Sequence, residues 1–504
     1  MNIAKKLNEN FYQKREELFN YIDNIKKNIK ISFFNVINIT MILNPYNTEF
    51  PKRFFLKEYS KENKFILFLM STLKFYIKNF AVFFMYFVGY IIYKMFYKKS
   101  LPKCEMAIDI FFLIDKILKE EEFKETHYFP GLYDVLREKK INYCFIVRFY
   151  DIFNRKFSIK KLVSFFKILN SSNEKFIFEY SLMSFFDFVK LFFLMLLYPF
   201  KTLKLIQEEN NIENKIFNQN LLIDIKNQQF NAFTRYIFGK NIVKYNNILN
   251  IKRIYSWSEF QVIERSFNYA VKQNSQIKLI AAQLYLNYNS YFNSFIRDID
   301  YDLGYAPEEV LVNSKYYMLN TKKVKYKIGV SFRYNKVFNF KKEKDEKIIV
   351  LGSYIINDTK NMLEMLKDFK DIVFKNHPLI DLNVYKDLLK NMIITNENVY
   401  ELFKGAKLVF GMSSGTLLEA VACGLSVIVI ANKDNFTANP LVEYGKGKIW
   451  DIVYTKDDIN SVYNKLIEFR KNKEEIDKIA KWYKDNFFIK PNKENIIKNF
   501  IGER

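Results

Sequence analysis

The 504-residue chain reads as an α/β protein of two Rossmann-like domains facing across a cleft (the GT-B arrangement), with membrane-associated helices in its N-terminal half. Three observations predict this. Short apolar runs alternate with helical segments twice over, once in 107–330 and again in 347–430, and such alternation builds parallel sheets covered on both faces. The length exceeds one ordinary domain. Very apolar, lysine-flanked stretches precede and interrupt the first of the two series, and none falls in the second.

Composition narrows the classes. Hydrophobic residues make up 49% and charged residues 27%, which argues against disorder, collagen and a simple coiled coil. The 3 cysteines, Cys104, Cys144 and Cys423, lie far apart with no CxxC spacing, so neither a disulfide framework nor structural zinc is expected, and a reducing compartment is. Phe (53) and Tyr (35) are abundant beside Lys, Ile and Asn, all with AT-rich codons, so part of the +24 net charge follows codon bias. The charge is uneven: residues from Lys336 onward carry a net +4, and those before it +20. An anionic membrane surface suits that distribution, and nothing resembles a nucleic-acid-binding module, so no nucleic-acid partner is expected.

Taken in order, residues 1–100 read as helical, broken near Asn44–Pro45 and Pro51. Phe80–Tyr93 has 14 uninterrupted apolar residues between Lys78 and Lys94, fewer than the roughly 20 that span a bilayer. Extended to 75–97 it is the candidate for a single span, but bordering lysines and aromatics suit a helix lying in the interface. Ala107–Ile114 and Tyr143–Arg148 read as strands around a helix at Gly131–Lys140. An apolar helical insertion near 176–206 includes Leu191–Phe200. Ile251–Ser256 and Ile277–Ala282 are strands, with Asn313–Thr321 and Tyr326–Val330 closing a domain at 101–332. A lysine-rich linker follows at 333–347. The second domain, 348–488, takes strands at Lys347–Leu351, Asp371–Phe374, Leu408–Gly411 and Ser426–Ile430, ends in helices near 457–471 and 473–487, and leaves a tail at 489–504.

Two motifs carry chemistry. In Leu408–Ala431 a buried strand runs into Gly411, then Met412-Ser413-Ser414-Gly415-Thr416 and a short helix bearing Glu419. Small hydroxyl and glycine residues at a helix start leave N–H groups for a phosphate. A serine N-cap and a closing glycine in an ordinary α/β helix would look the same. The second motif, Lys375-Asn376-His377-Pro378, follows a strand at the carboxyl end, where ligands bind in parallel sheets.

The HP turn followed along the chain by the Ser-Ser turn resembles the donor-binding half of GT-B glycosyltransferases, in particular the group containing bacterial sialyltransferases, capsular Kdo transferases and CDP-glycerol glycerophosphotransferases. Ile254–Phe267, Ala281–Leu286, Leu303–Tyr317 and Ile328–Asn335 extend the resemblance more weakly, to roughly residues 105–470. It implies a nucleotide-sugar in the C-terminal domain and an acceptor in the N-terminal one. By position, Ser413, Ser414, Gly415 and Thr416 would hold donor phosphate, His377 would touch it with Pro378 shaping the loop, Lys375 would add charge and Glu419 would bind ribose. Retaining enzymes of this fold often carry a second Glu eight residues before the first. Gly411 stands there, which points to inversion.

No cofactor or metal is implied, and Asp298-Ile-Asp300 reads as a solvated turn. Arg333 is a candidate for a bidentate donor contact. The candidate catalytic bases are His127, in a loop before a helix, and Glu259, read as a helix-start carboxylate. The expected activity is sugar transfer from a nucleotide-sugar to a hydroxyl of a lipid-linked or surface-polysaccharide acceptor, at the inner face of the cell membrane. The rivals are a CDP-polyol phosphotransferase and a nucleotide-sugar 2-epimerase on the same scaffold, and a non-catalytic membrane scaffold.

Overall fold

The computed structural model describes residues 3–149, 158–344 and 346–502; Asp345 of the linker and the last two residues of the tail lie outside them. Two wholly parallel sheets organise the chain. The first contains β1 (Met106–Phe112), β2 (Tyr143–Phe149), β3 (Phe176–Phe178), β4 (Arg253–Trp257), β5 (Lys278–Gln283), β6 (Glu309–Val312) and β7 (Lys325–Ile328), in the order β3-β2-β1-β4-β5-β6-β7. The second contains β8 (Lys347–Leu351), β9 (Ile372–Lys375), β10 (Ile393–Thr395), β11 (Ala406–Gly411), β12 (Ser426–Ile430) and β13 (Trp450–Val453), in the order β10-β9-β8-β11-β12-β13. Each is doubly wound, so each has one switch point where the winding reverses: between β1 and β4, and between β8 and β11. Crevices form there, at the carboxyl ends of the strands. This is the two-domain α/β class with a central cleft.

The strands of both sheets are near-continuous apolar runs because both faces are covered. Ile108, Ile110, Val147 and Tyr255 are buried on one side of the first sheet, and Ala107, Cys144, Ile146 and Ile254 on the other. Four strands escape the sequence pattern. β3 sits inside the stretch read as a helical insertion, β6 lies before Asn313 rather than after it, and β10 and β13 are short edge strands. Cys104 and Cys144 were not expected to pair. They precede or begin adjacent strands and form a disulfide with Cα atoms 6.0 Å apart.

The centre of the first sheet holds buried charge. Asp109 on β1 accepts both Nε (2.7 Å) and Nη2 (2.7 Å) of Arg148 from β2. It also accepts Nη2 of Arg235 (2.7 Å) and the Ser256 hydroxyl (2.8 Å). Arg148 Nη1 donates to Glu264 (2.8 Å) and Nη2 to the Trp257 carbonyl (2.9 Å). Burial opposes the Asp109 charge, but Arg148 and Arg235 outweigh it and hold the carboxyl below its ordinary range. Burial lifts Glu264 to about 7 against the pull of Arg148.

Residues 489–502 are no free tail. Ile489 exchanges hydrogen bonds with Ser331. Phe500 stacks on Tyr255 at 4.9 Å and packs beside Phe129 and Phe332 in the first domain's core. The chain end therefore crosses back and ties the second domain to the first.

The N-terminal helices Phe11–Asn28, Phe33–Ile42 and Phe50–Leu56 bridge both domains. Lys26 Nζ donates to Asp300 (2.6 Å), which also accepts the Tyr305 hydroxyl (2.6 Å) and faces Arg265. Asp300 is thus a buried ion-pair centre and not part of a solvated turn, and Asp298 caps the Lys322 and Lys323 amides. On the other side Phe436 of the second domain inserts beside Phe11 and Phe55.

A single 33-residue helix, Lys64–Phe96, contains the apolar stretch and is long and apolar enough to cross a membrane. Its inner face, with Ser71, Phe75, Asn79, Phe83, Tyr86 and Tyr93, is packed against the first domain along most of its length. Its outer face exposes Ile66, Met70, Leu73, Ile77, Phe84, Val88, Ile91 and Met95. Helix Phe185–Thr202 packs alongside through Phe192 and exposes Phe186, Phe193, Leu197 and Phe200.

Two stability measurements probe this framework. Arg148→Met leaves two carboxylates buried without their main partner and is expected to destabilise by about 3–5 kcal/mol in urea unfolding. Phe500→Ala, which empties a core position, is expected to cost a similar 3–5 kcal/mol or so.

Candidate functional site

A cavity of about 850 Å³ opens at the first sheet's switch point, and Tyr354 and Leu379 of the second domain border it. From the first domain it is lined by Phe111 and Leu113 at the end of β1, His127 and Tyr128 in a later loop, Phe149 at the end of β2, and Trp257 and Glu259 at the end of β4. Arg333 enters just after β7, and Tyr354 and Leu379 come from the second domain. His127, Glu259 and Arg333, far apart in sequence, therefore share one chamber.

The His127 loop is shaped by Glu125, whose carboxylate accepts the backbone N–H groups of His127 (2.8 Å), Tyr128 (2.7 Å) and Phe129 (3.0 Å). Burial, reinforced by Arg333 and Lys116, lowers the His127 pKa to about 4. The imidazole is neutral near pH 7 and a weaker proton acceptor than an ordinary histidine. Glu259 is not the helix-start carboxylate expected. Helix Val262–Lys272 is capped by Gln261 with Glu264 in its first turn, and Glu259 stands in the preceding loop, accepting Gln261 Nε2 at 2.8 Å. The Arg333 guanidinium lies over the Trp257 ring at 5.6 Å.

The second domain's motifs are arranged differently. Gly352, following β8, lets the His377 turn approach: a Cβ there would meet the His377 nitrogen at 3.3 Å. His377 Nδ1 accepts the Leu379 N–H at 3.3 Å, its ring lies 6.2 Å from Tyr354, and burial lowers its pKa. Pro378 is exposed beside it. Lys375 turns away and donates to the Glu397 carbonyl at 2.5 Å.

Ser413, Ser414, Gly415 and Thr416 do not line the cavity. Ser413 is buried with a left-handed φ of 52°, a conformation that non-glycine residues seldom adopt. Its hydroxyl donates to Asp358 at 3.4 Å, and Asp358 also accepts Asn432 Nδ2 at 2.8 Å. Ser414 Oγ accepts the Thr416 N–H at 3.3 Å. Gly415 lies against Leu286 of the first domain, 3.3 Å from where a Cβ would stand. Glu419 is buried and takes the Tyr400 hydroxyl as a donor. Burial raises its pKa despite that bond and Arg333. A Cβ at Gly411 would meet Leu417 Cδ2 at 2.7 Å, so a side chain there would displace that leucine.

Several lining residues escape sequence reasoning. Tyr46, in the Asn44–Asn47 loop of the N-terminal helical region, lies 5.4 Å from Tyr291 and 6.4 Å from Tyr354. Lys78, Asn79 and Val82 come from the long helix. A glycine directly after β8 was the one available signal for Tyr354; nothing in the sequence marks Tyr46 or Lys78.

No family model and no curated protein matches the chain. Among solved structures, UDP-GlcNAc 2-epimerase from Neisseria meningitidis aligns at 10% identity and TM-score 0.42, over 79% of this chain and 99% of that one. UDP-GlcNAc 2-epimerase from Methanocaldococcus jannaschii aligns at 13% and 0.39, over 78% and 98%. MurG from Acinetobacter baumannii aligns at 11% and 0.37, over 75% and 100%. The fold assignment rests on the two sheets and their switch points, not on these likenesses.

The Asp358 carboxyl titrates near 6, lifted by burial against its hydrogen bonds from Ser413 and Asn432. The native state therefore binds this proton more tightly than the unfolded chain, whose Asp titrates near 3.8. Stability falls as pH rises through that interval and stays lower above it. Asp358→Asn is expected to raise Tm at pH 7.5 and to change it little at pH 4; equal shifts at both would refute the assignment.

Proposed function

We propose that the protein is a GT-B-type glycosyltransferase that moves a sugar from a nucleotide-sugar to a hydroxyl of a lipid-linked or polysaccharide acceptor, with inversion. The observation that carries the reading is one cavity lined by His127, Glu259 and Arg333 on one side and by Tyr354 and Leu379 of the second domain on the other, with His377 standing behind Tyr354 at 6.2 Å. Donor phosphate meets His377 and the backbone after β11, and reaching the Ser413–Thr416 turn requires the lobes to part at Gly415 and Leu286. Arg333, on the crossing between domains, meets the charge of the departing nucleotide. Glu259 takes the acceptor's proton, with the neutral His127 as a hydrogen-bonding neighbour in the same cavity. Gly411 in place of a second carboxylate supports inversion.

The outer faces of helices Lys64–Phe96 and Phe185–Thr202 dock the first domain on the cytoplasmic leaflet. The long helix lies in the interface rather than spanning, because its inner face is committed to the domain. Lys74, Lys98, Lys99 and Lys190 are exposed beside the apolar residues and match anionic headgroups.

Nucleotide-sugar 2-epimerisation is the second reading, the activity named for the Neisseria and Methanocaldococcus proteins. It needs only the nucleotide-sugar. Polyol-phosphate transfer from a CDP-polyol would use the same cleft.

Thermal shift with CMP, CDP, UDP, GDP and dTDP is expected to single out one base, with the shift reduced in His377→Ala. Glu259→Gln should keep that shift and lose about 10²–10⁴-fold in transfer rate. Proton NMR of the nucleotide-sugar incubated without acceptor separates the rivals, since a new C2 epimer identifies an epimerase. Absence of every nucleotide shift overturns the enzymatic reading. Co-sedimentation with vesicles of phosphatidylcholine and phosphatidylglycerol should be lost in Phe84→Asp with Phe193→Asp; unchanged sedimentation refutes the docking face.

A further inference from the structure

One helix serves two surfaces. On Lys64–Phe96, Ile77 and Phe84 are seven residues apart and lie on the same outward face, 67% and 62% exposed. Lys78 and Val82 are four apart and are turned by about 110° and 150° from it. Those two residues line the cavity. The wall of the chamber and the apolar outer face are thus neighbouring strips of a single rigid element, and the chamber's rim on this side lies at the edge of the outer face.

The chamber is amphiphilic. Val82, Phe111, Phe149, Phe230 and Ile263 are its apolar lining, with Val82 on the long helix and Phe230 packed against that helix's Phe83 and Tyr86. Among the described residues, Lys78 and Arg333 are its two cationic side chains, set against one carboxylate, Glu259. Lys78 is exposed at the rim and holds one hydrogen bond, to the Lys226 carbonyl at 2.8 Å, which leaves donors on an ammonium that has three. Asn79, one residue on, anchors the helix by donating to the Gln228 carbonyl at 3.2 Å.

We infer that the cavity binds the phosphate head of an amphiphile, a phosphorylated lipid that slides in from the bilayer past Ile77, with Lys78 gripping the phosphate and its first carbons lying along Val82 and Phe230. The inference rests on the reading of this cavity as the acceptor side of a transferase. It goes further in naming the anionic lipid head, the route of entry and the residue that recognises it. The apolar side rules against a free sugar phosphate as the preferred ligand, since it would leave those side chains facing water. The position of Lys78 beside the outer face rules against a polymer threading in from the opposite rim.

The test is calorimetric titration of the intact protein with n-decyl phosphate below its micellar concentration, with no nucleotide present, alongside n-decanol and inorganic phosphate. One saturable site is expected for decyl phosphate, with decanol and inorganic phosphate each at least about tenfold weaker. Lys78→Gln should weaken decyl phosphate about tenfold or more, and Lys78→Arg should restore most of the affinity. Phe193→Asp, on the outer face, should leave it unchanged. Equal affinity for decanol removes phosphate recognition. Equal affinity for inorganic phosphate marks a simple anion site. A loss in Phe193→Asp matching that in Lys78→Gln places the ligand on the outer face. Each of these overturns the inference. Because nucleotide is absent, failure here leaves the donor reading standing, and a failed nucleotide shift leaves this result standing.

Discussion

Asp109 is the constraint on which the first domain depends. It sits at the middle of β1, an interior strand beside the switch point, and binds two arginines, one from the neighbouring strand and one from helix Phe230–Lys244. An unpaired carboxylate there would cost several kcal/mol of desolvation. Paired, it fixes β2 and that helix against β1, and Arg148 carries the restraint on to Glu264 and the Trp257 carbonyl. Trp257 and the loop after it line the cavity, so the charge network beneath the sheet holds the floor of the proposed site.

The second constraint is topological. The chain crosses between domains three ways: through residues 329–346, through the returning C-terminal segment anchored by Phe500, and through the N-terminal helices that grip Phe436. Two-domain enzymes of this architecture gain a cleft by separating their sheets. Here the N-terminal region also supplies a cleft wall, through Tyr46 and its neighbours. A few of the aromatic residues serve at this contact. Rings from three parts of the chain meet where the lobes touch, and tyrosines add large contact area with a polar tip.

Much of the fold was legible beforehand because buried parallel strands are apolar runs that stand out against their helices. The alternation after residue 347 is plain, and most of its strands lie within one or two residues of their expected places. The short edge strands β10 and β13 were not legible, since Ile393–Thr395 and Trp450–Val453 lack a long apolar signature. β3 was hidden because the phenylalanines of Phe176–Phe178 merge with the apolar helix that follows. Asp300 looked solvated because its partners, Lys26 and Arg265, are distant in sequence.

For the site, the sequence by itself determined which residues have useful chemistry: two histidines in all, a Ser-Ser-Gly turn at a strand end, and a glycine where a second carboxylate might stand. Those are local patterns, readable from strand and turn preferences. Only the tertiary structure decided their company. It placed His127, Glu259 and Arg333 in one chamber, turned Lys375 to a backbone carbonyl, engaged Glu419 with Tyr400, and brought Lys78 of the long helix to the chamber's rim. These outcomes depend on which segments meet across two sheets and a helical bridge. No local pattern encodes that, because contact between distant segments is set by the packing of the whole chain.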